Sequence, residues 1–233
     1  MSAPLARDQE PRDREGSAVT LERREGPYGE VVLRRRGEHF EIIANGCFLM
    51  DTADGRSERL LVQAALDELG TPRPSVLIGG LGVGFSLAYA AAEPRWGHIA
   101  VVEREDAIID WHRDGPLAAF SAGALDDPRV TVLHTDLLAC LEADGEGYDA
   151  LCLDIDNGPE WTVTDANSAL YGPAGLAAAQ RRLKAGGVLA IWSARPSAAF
   201  EQALRAAGYA DVRTLEVEVA TGAPDVVHLA RRP

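Results

Sequence analysis

The feature that most constrains the fold is a fivefold alternation of short apolar runs with helical patterns after Pro74. The apolar runs are SVLIGG, HIAVVE, RVTVLH, YDALCLDI and GGVLAIWS, and each precedes a segment with apolar residues at helical spacing. Strands that alternate with helices in this way form a mostly parallel sheet with helices on both faces. Ligands of such sheets bind beyond the carboxyl ends of the strands. The sequence therefore predicts a doubly wound α/β domain with its site at that edge.

Two antiparallel elements flank the alternating part. Four β-type runs lie between residues 19 and 52, and Asn45-Gly46 between two of them is a strong hairpin signal. At the other end, DVRTLEVEV and DVVHLARR flank the turn ATGAPD, which predicts a closing hairpin. We therefore predict a charged, disordered tail over residues 1–18, a small β region over 19–56 and the α/β domain over 57–233.

The charge balance limits the classes of partner. With 36 acidic and 23 basic residues, the chain carries a formal net charge of −13. A strongly negative protein is a poor partner for a nucleic-acid backbone or an anionic membrane, so we expect a small-molecule acceptor instead. No run approaches the roughly 18 apolar residues of a membrane span. The N-terminus lacks the apolar segment of a signal peptide, so the expected compartment is the cytoplasm.

The cysteines and histidines give no metal-binding pattern. Cys47, Cys140 and Cys152 are far apart in apolar surroundings, and neither CxxC nor zinc spacing occurs. The five histidines are scattered along the chain. We expect buried free thiols and no metal.

The first loop of the α/β domain is rich in glycine. Residues 79–84 read GGLGVG and join the first strand to its helix, so Gly79, Gly80, Gly82 and Gly84 are candidate nucleotide-binding residues. Glycines let the backbone turn tightly and let a ligand approach helix amide groups. The same pattern also serves packing alone. NAD is a competing ligand, but the spacing is GxGxG, and Phe85 stands where the third glycine of the dinucleotide motif would lie.

Acidic residues follow the next two strands. Glu103 ends the second strand, about twenty residues after the glycines, where a carboxylate can accept both ribose hydroxyls. Asp136 follows the third strand, where it can meet an adenine amino group. A solvated strand end for Glu103 and a helix N-cap for Asp136 are the structural alternatives.

The fourth strand ends in the acidic stretch LDIDN. Asp154 and Asp156 lie beside a buried strand end, where a carboxylate costs several kcal/mol unless a partner or ligand compensates. A partly desolvated carboxylate can orient a cationic amine and take its proton, so both are candidate catalytic residues, and Asp154 is also a candidate cofactor-binding residue. The alternatives are a turn cap for Asp154 and a solvent-facing side chain for Asp156.

Taken in order, the stretches IGGLGVG, VVE, HTD, YDALCLDID and LYGPAGLAAAQRRLKAGGVLAIWS resemble class I methyltransferase-fold proteins. More closely, residues 19–233 resemble the spermidine synthase (polyamine aminopropyltransferase) branch. The resemblance implies a Rossmann-like fold with a mostly parallel seven-stranded sheet, a C-terminal antiparallel hairpin and a small N-terminal antiparallel β appendage. It also implies an S-adenosyl nucleoside as cofactor, with no metal, and a homodimer.

The resemblance assigns further residues. It makes Asp154 the base that deprotonates the attacking amine and places Asp156 or Asn157 near a second polar position that helps hold the acceptor. It also implies that the stretch from Asn157 to Tyr171 closes over the site, with Trp161 and Tyr171 walling the acceptor pocket. For Trp161, simple packing is the alternative. Tyr28 corresponds to a tyrosine that lines the site.

Three departures from the family pattern bear on the reaction. Gly82 stands where typical members carry an Asp that binds the amine of decarboxylated S-adenosylmethionine. Gly29 replaces a Gln, and a family His has no counterpart. We therefore predict transfer from S-adenosylmethionine, most simply of methyl, to a small-molecule nucleophile. The alternatives are an aminopropyltransferase that uses decarboxylated S-adenosylmethionine and an amine acceptor, and a non-catalytic nucleoside-binding homologue.

Overall fold

The computed structural model of the chain describes residues 17–155, 157–162, 167–218 and 224–233. The predicted tail therefore falls outside the described residues, apart from residues 17 and 18. An N-terminal sheet precedes the α/β domain. Its four antiparallel strands follow one another in space as in the sequence: β1 (Val19–Gly26), β2 (Gly29–Arg36), β3 (His39–Ala44) and β4 (Cys47–Asp51).

The α/β domain contains a seven-stranded sheet of order β10-β11-β9-β8-β5-β6-β7. Its strands are β5 (Ser75–Gly79), β6 (His98–Glu103), β7 (Val130–His134), β8 (Tyr148–Leu153), β9 (Leu183–Ser193), β10 (Ala210–Val217) and β11 (Asp225–Arg231). The first five are parallel, while β11 runs antiparallel to both β9 and β10. The predicted fold class and the closing hairpin are confirmed.

Eight α-helices occur among the described residues. They are α1 (Arg56–Asp67), α2 (Phe85–Ala92), α3 (Asp106–Arg113), α4 (Ala118–Ser121), α5 (Leu137–Glu142), α6 (Ser168–Tyr171), α7 (Pro173–Arg182) and α8 (Ala198–Ala206). A 3₁₀ turn spans Ala124–Asp126. The sequence did not predict α4, α6 or the 3₁₀ turn. The helical segment that follows the fourth apolar run, PAGLAAAQRRLK, ends earlier than its pattern, at Arg182, because β9 already begins at Leu183.

The two faces of the seven-stranded sheet carry separate apolar clusters. One cluster joins the sheet to α1, α2, α3 and the N-terminal sheet. The other joins it to α5, α7 and α8. Because both faces are covered, only the strand ends remain open to a ligand. The carboxyl ends of the parallel strands and the start of β11 share one edge, since β11 runs in the opposite direction.

Candidate functional site

The glycine turn, residues 79–84, connects β5 to α2 at this edge. Gly80, Gly82 and Gly84 have φ of 97°, 51° and 94°, the left-handed region that most side chains avoid. A Cβ at Gly80 would lie 2.3 Å from the backbone oxygen of Asp154. The end of β8 therefore packs directly against the turn, which brings Asp154 to the glycine-rich loop.

Replacement of Gly80 by Ala tests this close approach. We expect a loss of about 1–2 kcal/mol from left-handed strain, plus about 1–3 kcal/mol because the new methyl group displaces the Asp154 backbone. Gly46 is the matched control, because its φ is also positive, at 79°, but a Cβ there meets nothing within 4 Å. Urea unfolding of both variants measures the difference. Equal losses at the two positions would contradict the packing described here.

The five amide groups of residues 80–84 all donate hydrogen bonds inside the protein. A dinucleotide site needs such amides free to face its pyrophosphate, so this turn is unsuited to a diphosphate. These five amides are also not free to bind the carboxylate of a ligand. The acceptors are Val102 O for Gly80, Glu103 for Leu81 and Gly82, Met50 Sδ for Val83 and Leu81 O for Gly84.

Two side chains that the sequence analysis did not assign to the site, one of them His112, support the turn from outside. Met50 of β4 accepts the Val83 amide at 3.3 Å, and a Cβ at Gly82 would lie 2.2 Å from its sulfur. His112 of α3 is 2% exposed, and its Nε2 lies 2.9 Å from Gly82 O. Burial lowers the pKa of His112, which favours a neutral ring that donates to this carbonyl. The turn is thus held between the N-terminal sheet and α3.

Glu103 ends β6 beside the glycine turn, as predicted. Its Oε1 accepts the amides of Arg104 and Glu105 at 2.8 and 2.9 Å, and its Oε2 accepts Leu81 N at 3.1 Å. Burial is the largest influence on this carboxyl and raises its pKa, against the lowering effect of these hydrogen bonds. The carboxyl group is thus held by three backbone amides at the site edge, and a contact with ribose stays a prediction.

Asp136 follows β7 and has the capping role that was its structural alternative. It is the N-cap of α5, and its Oδ1 accepts the Ala139 amide at 3.0 Å. The residue is half-buried at the same edge of the sheet as Glu103. The cap fixes the carboxyl group in place, and a contact with adenine stays a prediction.

Asp154 lies in an acidic environment formed by three separate elements. It follows β8, is half-buried and has its pKa raised well above the usual range, first by desolvation and then by Glu58 and Asp225. Glu58 comes from the first turn of α1 and is 8% exposed, while Asp225 opens β11. Desolvation is also the main reason that the pKa of Glu58 is raised to about 7. Such a cluster favours a cationic ligand, because added positive charge offsets the repulsion between carboxylates.

Tyr28 lies close to the residue that follows Glu103. It sits in the turn between β1 and β2, is 40% exposed and has the Arg104 guanidinium 4.5 Å from its ring centre. Arg104 directly follows Glu103, so the aromatic ring lies near the end of β6, and a contact of Tyr28 with a substrate stays a prediction.

Comparisons with solved structures agree with this architecture. Spermidine synthase from Thermotoga maritima superposes with a TM-score of 0.76 and 17% identity over 92% of this chain and 73% of that chain. A spermidine synthase in complex with the transition-state analogue AdoDATO gives a TM-score of 0.75 and 16% identity, over 92% of this chain and 72% of the other. The fold is spermidine synthase-like.

Curated sequences point to the same branch. Polyamine aminopropyltransferase 2 of Pseudomonas aeruginosa is 32% identical over 136 residues, which cover 57% of this chain and 36% of that protein. The polyamine aminopropyltransferase of Corynebacterium efficiens is 29% identical over 170 residues, covering 71% and 31%. Putrescine N-methyltransferase 2 of Nicotiana tabacum is 28% identical over 130 residues, covering 54% and 36%. The matches thus span about a third of these relatives. No family model matches the chain.

On this spermidine synthase-like fold, the remaining predicted residues have different surroundings. Asp156 lies outside the described residues. The backbone oxygen of Asn157 accepts the Ala194 amide at 3.2 Å, which ties the segment after Asp154 to the end of β9. Trp161 is 46% exposed, while Tyr171 is 8% exposed and packs edge-on against Phe200 at 5.8 Å. Tyr171 is therefore placed in the apolar cluster rather than at an open pocket.

The cysteines differ in part from expectation. Cys140 and Cys152 are buried free thiols, but Cys47 is exposed, because it opens the edge strand β4. Within residues 17–155, 157–162, 167–218 and 224–233, no group of three or more His, Cys, Asp or Glu side chains is arranged to hold a metal ion. In the same ranges, no helix combines the length and the apolar character that crossing a membrane requires.

Proposed function

We propose that the protein transfers an aminopropyl group from decarboxylated S-adenosylmethionine to an amine acceptor. The observation that carries this proposal is the meeting of Glu58, Asp154 and Asp225 at the edge that also holds Glu103 and the glycine turn. A desolvated carboxylate cluster suits an ammonium group, and a buried carboxylate suits a ribose. Both requirements fall on one edge of the sheet.

The comparisons favour aminopropyl transfer over the methyl transfer that the sequence first suggested. Two of the relatives described above are named polyamine aminopropyltransferases. The glycine turn adds a physical reason, because its amides already have acceptors within the protein. The intact donor carries a carboxylate that needs donors, whereas the decarboxylated donor does not. The decarboxylated donor therefore fits this turn better than the intact donor.

Asp154 is assigned the proton transfer. An amine acceptor enters as its ammonium form, and a carboxylate with a raised pKa removes its proton near neutral pH. The free nitrogen lone pair then attacks the methylene carbon next to the sulfonium. The carbon–sulfur bond breaks, and its electron pair leaves on sulfur as neutral methylthioadenosine. Glu103 holds the ribose so that carbon and nitrogen face each other.

Methyl transfer to an amine is the second candidate. It is favoured by the similarity to putrescine N-methyltransferases and by Gly82, which offers no carboxylate to an aminopropyl amine. The two reactions share the acceptor class and the role of Asp154. They differ only in the donor and in the group transferred.

Titration calorimetry with S-adenosylmethionine, its decarboxylated form and methylthioadenosine distinguishes the two reactions. We expect the decarboxylated donor to bind more tightly than the intact one. Incubation of each donor with putrescine, followed by mass spectrometry, then identifies an aminopropyl or a methyl addition. Tighter binding of the intact donor with a methylated product would favour the second candidate. Failure of all three nucleosides to bind would contradict both.

The homodimer and the cytoplasmic location stay predictions. A polyamine-type acceptor fits the acidic cluster and the names of the relatives, and it is part of the same proposal. Mass photometry of the purified protein measures the number of subunits.

A further inference from the structure

The side chain of Arg104, the residue after β6, is held by contacts with several segments of the chain. Its guanidinium lies 4.5 Å from the centre of the Tyr28 ring, and Nη1 donates to Asn167 Oδ1 at 3.3 Å. Its Nε lies 3.4 Å from Glu105 Oε1, and its side chain is only 19% exposed. A long cationic side chain is held in this way only when several neighbours fix it, because ordering it costs rotamer entropy.

The contacts of Arg104 come from distant parts of the chain. Tyr28 belongs to the N-terminal sheet, and Asn167, which is 8% exposed, directly precedes α6 on the chain that continues from Asp154. The amide of Arg104 itself donates to the ribose carboxylate, Glu103 Oε1, at 2.8 Å. One residue thus connects Glu103, the segment before α6 and the N-terminal sheet.

The strand order places Arg104 beside the path of the nucleoside. Glu103 ends β6, and Asp136 follows the neighbouring strand β7. A nucleoside that spans these two carboxyl groups passes the residue that follows Glu103. A displaced Arg104 backbone would also pull an amide donor away from the Glu103 carboxylate, which would then lose part of its fixed orientation.

We propose that Arg104 is a positioning residue for the nucleoside, held in place by Tyr28 and Asn167. This inference rests on the proposed function, because it takes the edge at Glu103 as the donor site. Arg104 does not enter the bond-making step. Its planar guanidinium stacks on the Tyr28 ring and at the same time donates a hydrogen bond to Asn167. A lysine ammonium does not reproduce both contacts.

The test measures methylthioadenosine binding by calorimetry for wild type, Arg104→Ala, Arg104→Lys and Arg113→Ala. Arg113 is an exposed arginine at the end of α3 and serves as the control for charge. We expect about tenfold weaker binding in both Arg104 variants, which corresponds to the loss of about one hydrogen bond or stacking contact. Binding by the Arg113 variant should match wild type. In turnover, KM for the donor should rise more than kcat falls.

Substitutions of Tyr28 test whether its ring holds Arg104 in place for nucleoside binding. Tyr28→Phe keeps the ring and should bind methylthioadenosine as wild type does, whereas Tyr28→Leu should weaken binding as Arg104→Ala does. Combining Tyr28→Leu with Arg104→Ala should add little to either change, because both remove the same contact.

The outcomes separate this inference from the proposed function. Wild-type binding together with unchanged binding by Arg104→Ala would overturn the role of Arg104 and leave the proposed function in place. Absence of binding by the folded wild type would overturn the proposed function and the role of Arg104 with it. Equal weakening by Tyr28→Phe and Tyr28→Leu would also overturn the inference, because the ring contact would then not be what holds Arg104.

Discussion

Replacement of Asp154 by Asn is expected to lower kcat by about 10²–10⁴-fold while methylthioadenosine binding stays close to wild type. Asn keeps the size of the side chain but cannot take the proton of the acceptor ammonium. The nucleoside contacts are assigned to Glu103 and the glycine turn, so they are not removed. Steady-state kinetics with the decarboxylated donor and putrescine measure kcat, and calorimetry measures binding.

Asp149 gives the control for this variant, because it lies near the start of β8, the strand that Asp154 follows. Its carboxylate is 7% exposed, accepts Lys184 Nζ at 2.7 Å and accepts the Ser75 amide at 2.8 Å. Asp149→Asn should lower stability without a comparable loss of kcat. Asp154→Asn should not lower stability, because the native environment raises the pKa of that carboxyl and so opposes its ionisation. Near-normal turnover by Asp154→Asn would remove the base from the mechanism.

Replacement of Glu58 by Gln is expected to stabilise the protein in a pH-dependent way. The pKa of Glu58 is raised from 4.5 to about 7 in the folded chain, so the native state retains a proton that the unfolded state loses. Wild type therefore loses stability from this group as pH rises from about 4.5 to about 7. Gln stays neutral, so the advantage of the variant should grow from near zero to about 3 kcal/mol across that window.

Urea unfolding at a series of pH values measures this difference, with Glu146→Gln as control. Glu146 is exposed in the loop before β8, so its replacement should give a small difference that does not follow the same pH profile. A constant difference between Glu58→Gln and wild type would contradict the raised pKa of Glu58. In turnover, Glu58→Gln should raise KM for the amine acceptor, because one of the three carboxylates that favour a cation is removed.

Most of the fold follows from periodicity in the sequence. The alternation after Pro74 predicts the parallel strands, and Asn45-Gly46 predicts a hairpin in which both residues have positive φ, 50° and 79°. The four-residue helices α4 and α6 were missed because each is barely longer than one helical turn and shows no periodic pattern. The early end of α7 was missed because β9 begins within the Leu-Lys-Ala-Gly-Gly stretch, which is typical of a helix end.

The sequence predicted those candidate site residues that stand at or just after the end of a strand. Glu103, Asp136 and Asp154 stand at strand ends, so the order of the strands places them on one edge. Glu58 gave no such signal, because an acidic residue in the first turn of a helix is ordinarily explained by the helix dipole. Its role depends on how α1 packs on the sheet. Arg104 was missed for a similar reason, since its contacts come from distant parts of the chain.

The internally bonded glycine turn also bears on what happens between reaction cycles. Its conformation is held by Val102, Glu103 and Met50, all of which are part of the protein itself. Departure of a product would therefore leave the turn in place. A fresh donor would meet a surface that is already shaped, and little of its affinity would go into ordering the loop.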